Sequence, residues 1–189
     1  DLEDVKISEG DVKLNLDKGI KLSSNFNSKL NFNELLLNKY SKLLNNYKFI
    51  NYIKSLKADF NNNFYIDLDS TYKINNFSYN ISGAIDKGKV EFSKPIKNKI
   101  LVGEIKQVYF SDLQITTNFK PKKINFLGQG KYSFNNSDFF KINFDNKINN
   151  DLTNLILNLD FTNSLDLSMI NYVKPENSKA NLSLELKKM

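Results

Sequence analysis

The chain contains no cysteine and no histidine among its 189 residues. Without them it can form no disulfide, no ordinary zinc site and no Cys-His or Ser-His-Asp nucleophile. The missing cysteines permit an oxidising compartment without requiring one. Arginine is absent too, so all 27 basic residues are lysines. Proteins that read nucleic acid cluster their basic residues and use arginine for bidentate contacts. Here the lysines are spread between polar and acidic neighbours, the arrangement of a solvated face, and nucleic acid is not an expected partner. No apolar run reaches the roughly 18 residues that a membrane-spanning helix needs. If membranes matter, the chain is expected to touch lipid without crossing it.

The chain is long enough for one domain with a sizeable core. It begins at Asp1, shows no signal peptide and ends at Met189 just after a strand-like run from Ala180 to Leu186. We therefore expect a single β-rich domain over 1–189 that is a fragment of a longer protein. Asparagine makes up about one residue in six, and Lys, Asn, Ile and Phe together suggest AT-rich coding. That weakens the net charge of +6 as a functional signal.

The dominant signal has period two. Apolar side chains alternate at Val12, Leu14 and Leu16; at Phe64, Ile66 and Leu68; at Phe77, Tyr79 and Ile81; and at Val108 and Phe110. The pattern returns at Phe140, Ile142 and Phe144, at Leu155, Leu157, Leu159 and Phe161, and at Leu182, Leu184 and Leu186. Alternation puts one row of side chains on each face of a strand, so the expected element is an antiparallel sheet with one greasy and one wet face. Turn residues at Glu9-Gly10, Asp17-Lys18-Gly19, Asp86-Lys87-Gly88, Asn135-Asn136-Ser137 and Asn149-Asn150-Asp151 divide the runs into a mainly β meander of about a dozen strands.

One segment departs from this rhythm. From Glu34 to about Leu56, Leu36, Tyr40, Leu43, Leu44, Tyr47, Ile50 and Ile53 recur at steps of three and four, the spacing of an amphipathic helix. Asn33 is placed to cap it, and Glu34 suits the positive end of the helix dipole. The lysines do not form the strong basic face of a membrane-surface helix. The expected role is to pack on the sheet or close one end of it.

Three short motifs suggest chemistry. Asp67-Leu68-Asp69-Ser70-Thr71 spells the D-x-D-x-T of aspartyl-phosphate hydrolases, but that motif needs a parallel strand in an α/β fold, and strands continue after Thr71. Asp67 and Asp69 are expected to share the solvent face of a strand. Ser70 to Lys73 spells S-x-x-K, which requires the first turn of a helix and partner motifs, whereas a strand sets the two residues on opposite faces. Gly128-Gln129-Gly130-Lys131 lacks the remainder of a phosphate loop, with Tyr132 where Ser or Thr should stand, and reads as a hairpin with glycines at its turn. Sequons at Asn76, Asn80, Asn135 and Asn181 are expected by chance in so asparagine-rich a chain. No catalytic residue, metal ligand or cofactor is assigned, and the chain is not read as an enzyme.

So much one-sided sheet must pack against something. One answer is a second layer, giving a structural or adhesive β-sandwich with a closed core. The other is a sheet curled into an open trough whose lining receives acyl chains. An outer-membrane barrel would need outward apolar residues with aromatic girdles, which the helical insert and the missing girdle pattern oppose.

The stretch GDVKLNLDKGIKLSSNFNSKLNFNELLLNKY, the helical insert ending FINYIKSLKADF, and strand units such as INNFSYNISGAIDKGKVEF and KINFLGQGKYSFNN together resemble the AsmA-like superfamily. The likeness is closest to the central region of the large YhdP-type envelope proteins. It covers most of the chain and rests on pattern and layout, since that family has no catalytic signature to match. The resemblance implies a β-taco-like open groove and a role as one section of a bridge carrying phospholipid between inner and outer bacterial membranes. It also implies a periplasmic location, an inner-membrane anchor in a segment outside this chain, and neighbouring β segments of the parent protein as partners. The groove would be lined by Phe64, Ile66, Leu68, Phe77, Tyr79, Ile81, Phe140, Ile142, Phe144, Leu155, Leu157 and Leu159.

Overall fold

The computed structural model describes residues 5–17, 19–41, 51–97, 104–162, 164–167 and 170–188. The elements follow in the order β1 (Val5–Asn15), β2 (Ile20–Phe32), α1 (Glu34–Ser41), β3 (Ile53–Leu68), β4 (Ile74–Lys97) and β5 (Glu104–Lys120). They continue with β6 (Lys123–Phe134), β7 (Phe140–Asn149), β8 (Leu152–Phe161), β9 (Leu165–Leu167), β10 (Tyr172–Lys174) and β11 (Ala180–Lys188). Nine strands form one sheet in the order β1-β2-β3-β4-β5-β6-β7-β8-β11. Every pairing in it is antiparallel. The short strands β9 and β10 pair with each other and interrupt the meander between β8 and β11. The sheet remains open, with β1 and β11 as its edges.

Bulges keep the apolar residues in phase. Phe110 to Leu113 and Ile85 to Gly88 are steps of three, which in an unbroken strand would turn the second residue to the other face. In β5 the partner of Ser111 is Lys131 and that of Gln114 is Gln129, so Asp112 and Leu113 together oppose Gly130. Asp112 takes the left-handed conformation, with φ 52°. In β4, Asp86 is the extra residue between the partners of Ala58 and Lys57. A third irregularity lies at Glu9-Gly10 in β1, with Glu9 at φ 54°. Glu9-Gly10 and Asp86-Lys87-Gly88 are therefore not turns, as their composition suggests, but bulges inside long strands. A bulge and a turn both need residues outside the regular strand conformation, so their sequence signals coincide.

The two glycines at Gly128 and Gly130 also lie within a strand, β6, and not at a hairpin turn. A Cβ on Gly128 would stand 2.1 Å from Cζ of Phe144, whose ring lies across the strand there. A Cβ on Gly130 would stand 2.5 Å from Cα of Leu113 in the β5 bulge. Close approach, not turning, accounts for both.

The helix starts where expected. Oδ1 of Asn33 accepts the Leu36 amide at 3.1 Å, and the Asn33 carbonyl accepts the Leu37 amide at 3.0 Å. Leu37 is buried, and α1 rests on β3. The expected span to Leu56 ends too late, because Ile53 and Leu56 already pair with Val90 and Gly88 in the ladder. Sheet pairing overrides the three-and-four spacing at that point. The middle of the expected helix, 42–50, lies outside the described residues.

Extensive contacts between elements join sheet neighbours, β9 to β10, or α1 to β3. Among the described residues no second layer faces the sheet, so the closed sandwich is not formed. The chain exposes 13408 Å². A compact monomer of this mass would expose about 9,300 Å². Even so, Leu113, Tyr132, Ile142 and Leu159 from β5, β6, β7 and β8 are buried against one another. Burial without a covering layer requires a concave face, which the twist and coil of a long antiparallel sheet supply. The fold is an open, curled β meander.

A candidate apolar trough

Cross-strand partners share a face, so the register shows which side chains meet. One row across the sheet runs Val12, Ser24, Phe64, Tyr79, Phe119, Ile124, Ile148 and Thr153. A parallel row runs Ile7, Ser28, Phe60, Gly83, Ile115, Gly128, Phe144, Leu157 and Leu184. A row beyond it joins Leu30, Ala58, Ile85 and Leu113 on one side of the β5 bulge to Gly130, Ile142, Leu159 and Leu182 on the other.

All twelve residues singled out as lining lie on this face. Phe64 pairs with Tyr79, Ile66 with Phe77, Phe144 with Leu157, and Ile142 with Leu159. Leu68, Ile81, Phe140 and Leu155 stand at even steps along the same strands. Burial divides the set: Ile142 and Leu159 are sealed in the core cluster, and the other ten are half-buried. Phe119, Ile124, Phe126 and Ile148 belong to the same face and were not picked out from sequence. Ile124 with Phe126, and Ile115 with Phe119 across Thr117, carry the same alternation in shorter form.

Aromatic rings bind the strands laterally. Tyr79 lies between Phe64 and Phe119, each with its ring centroid 6.2 Å away. Phe126 and Phe144 approach to 4.9 Å. Besides Ser24, Ser28 and Thr153, the apolar face carries polar side chains at Asn62, Thr117 and Asn146, in the row that also holds Ile81, Phe126 and Leu155. Asn62 is 3% exposed, its amide donating to Ser28 Oγ at 2.9 Å and its Oδ1 accepting the Tyr79 hydroxyl at 2.8 Å. Burial raises the Tyr79 phenol above its ordinary range, so it stays a neutral donor there. The exposure of Val12 and Leu14 on β1 and Leu184 and Leu186 on β11 carries the apolar face to both open edges.

The opposite face is polar. Asn25, Asn63, Asn80, Asn118 and Asn125 stand in register on five consecutive strands, and the Asn118 amide donates to Asn80 Oδ1. Ion pairs such as Lys13 with Asp11 and Lys29 with Asp59 join exposed groups and contribute little to stability.

The D-x-D-x-T residues separate instead of converging. Asp67 is in β3 opposite Lys21 and Asn76, whereas Asp69 lies in the β3–β4 turn and not on the strand face. Asp69 Oδ1 accepts the Thr71 amide and hydroxyl, each at 2.7 Å, and the Lys73 amide at 3.0 Å. A short polar side chain that bonds its own turn competes with the ladder, which is why the strand stops here. Ser70 and Lys73 share this turn and no helix. The Thr71 hydroxyl, then the Lys73 and Thr71 amides, hold the Asp69 carboxyl below the usual range. A depressed folded pKa stabilises above the ordinary carboxylate pKa, and the contribution disappears as pH falls through the lowered value. We predict that Asp67→Asn with Asp69→Asn leaves the fold intact near neutral pH and removes this acid-side dependence, checked by thermal melts across pH. A magnesium-dependent phosphatase activity in the wild type, lost in the double variant, would overturn the assignment.

Among the described residues no group of three or more acidic, His or Cys side chains converges on a metal site, and no helix is long and apolar enough to cross a membrane. Among the described residues, fold and site thus define an open, single-layer β meander with one predominantly apolar face. Comparison with protein-family models, with curated proteins and with solved structures finds no match to this chain.

Proposed function

We propose that the chain is one section of a bridge-like lipid-transfer protein that carries phospholipid between the inner and outer bacterial membranes along the apolar trough. The observation that carries this reading is the predominantly apolar face that extends from β1 to β11 with no covering layer among the described residues. Each acyl CH₂ leaving water for such a surface gains on the order of 0.8 kcal/mol. A row of near-equivalent sites holds a tail without trapping it, and the headgroup stays at the wet rim. The open edges suit continuation of the sheet by neighbouring β segments of a parent protein. The AsmA-like and YhdP-type resemblance supplies the proposed setting: the periplasm, with the inner-membrane anchor in another part of the parent.

Native mass spectrometry of the purified chain tests the proposal. Phospholipid retained through purification and lost on delipidation is the expected result. A chain that carries no lipid and takes none up from phospholipid vesicles would leave a structural or adhesive β-domain instead.

A further inference from the structure

The sheet forks between β7 and β8. Their pairing stops at Ile142 with Leu159, yet β7 remains on β6 as far as Phe140 with Tyr132, and β8 remains on β11 as far as Phe161 with Ala180. Both prongs are therefore held by their outer neighbours and released from each other. Two side chains and the backbone amide of Asn177 take the place of the missing ladder bonds. The Tyr132 hydroxyl donates to the Asp160 carbonyl at 2.7 Å, and the Thr162 carbonyl accepts the buried Lys174 Nζ at 2.8 Å and the Asn177 amide at 3.0 Å. Burial, then the neighbouring Asp160, pushes the Tyr132 phenol up to about 12, so the brace keeps its proton at physiological pH. A fraying strand end would leave these carbonyls to water; here they are capped, and the fork is a built feature.

The cleft between the prongs has a volume of about 540 Å³. Phe139, Phe140, Phe161 and Ala180 form its apolar part, and Lys131, Lys141 and Lys179 line it with one carboxylate, Asp160. Lys131 is paired with Asp112 at 3.1 Å, whereas Lys141 and Lys179 have no ion pair among the described residues. Asp160 is engaged by the Asn181 amide at 3.4 Å. The cleft thus sets Lys141 and Lys179 against the one carboxylate of Asp160, a surplus of one cation, beside an apolar wall. That pairing recognises an anionic oxygen head attached to a hydrocarbon chain.

We propose that the β7–β8 fork binds a single-chain amphiphilic anion, its head on Lys141 and Lys179 and its first carbons against Phe139, Phe140 and Phe161. A fatty-acid carboxylate and a lipid phosphate share this chemistry. The site needs no transfer activity, so it stands or falls separately from the bridge reading.

Titration calorimetry of the full chain with decanoate and with decyl phosphate tests the site, and the tighter of the two identifies the source. Lys141→Glu with Lys179→Glu, both at exposed positions, is expected to weaken the preferred ligand by on the order of tenfold or more. Phospholipid retention in the trough, read by native mass spectrometry, is expected to stay unchanged. If circular dichroism shows that the reversal perturbs the sheet, Lys141→Gln with Lys179→Gln should give a smaller loss in the same direction. Unchanged affinity in the folded variant would overturn the proposal. So would inorganic phosphate binding as tightly as decyl phosphate, because the aromatic wall would then contribute nothing.

Discussion

Glutamate in place of Ile142 is expected to unfold the sheet, whereas glutamate in place of Ile81 should leave it folded and unable to retain lipid. Both isoleucines lie on the apolar face, but their surroundings differ. Ile142 is 8% exposed and packs in the cluster with Leu113, Tyr132 and Leu159. A carboxylate there is buried with no cation provided for it, at a cost of roughly 3–5 kcal/mol. A single layer with few buried side chains has little stability to lose. Ile81 is only half-buried, between Asn62 and Thr117 in its row, so a carboxylate can still reach water when the trough is empty. It must lose that water when a hydrocarbon tail passes, and this blocks the tail without unfolding the chain. Urea unfolding followed by circular dichroism, with lipid quantified by mass spectrometry in parallel, separates the two effects. A folded Ile142→Glu, or an Ile81→Glu that keeps its lipid, would refute the division of the face into sealed floor and open lining.

Valine at Gly130 is expected to be strongly destabilising, at about 3 kcal/mol or more. Its Cβ would lie 2.5 Å from Leu113 Cα, 2.8 Å from the Asp112 carbonyl oxygen and 3.0 Å from the Leu113 nitrogen. All three are backbone atoms of the β5 bulge, so no rotamer change relieves the overlap. The strands must separate or the bulge must shift, and a shifted bulge turns Leu113 and the residues beyond it to the other face. Alanine at Gly128 meets the Phe144 ring instead, and the ring can swing aside at a smaller cost. Alanine at Gly88 meets Ile85 and Phe110 only at 3.5 to 3.7 Å, ordinary contact distance, and serves as the near-neutral control. The expected order of urea midpoints is wild type and Gly88→Ala highest, Gly128→Ala lower and Gly130→Val lowest. A Gly130→Val midpoint equal to that of the wild type would show that the bulge is not fixed by this contact.

The glycines also show where sequence patterns mislead. Gly88 and Gly130 each stand beside Asp or Lys, the composition of a turn, yet each lies inside a long strand. A glycine reports that the local backbone or a neighbour is unusual, and the cause is a strand distant in sequence. Ile53 illustrates the same limit for periodicity: it continues the three-and-four spacing of α1 but pairs with Val90, thirty-seven residues later. By contrast, the Asn33 cap and the strand alternation were legible because both depend on residues only a few positions apart.

The sequence by itself determined that the chain builds antiparallel sheet with one greasy and one wet face, and that Cys and His chemistry is excluded. Period two is a property of the pleat, and it is written in every strand regardless of what the strand pairs with. Only the tertiary structure decided that the greasy faces combine into one layer, uncovered among the described residues, that β11 returns to β8 and leaves β9 and β10 outside the sheet, and that β7 and β8 part at Ile142. It also decided which apolar residues are sealed and which stay open, since Ile142 and Ile81 look alike in the alternation. Register, bulges and layers depend on partners tens of residues away, and the alternation of any one strand fits several such partners equally well.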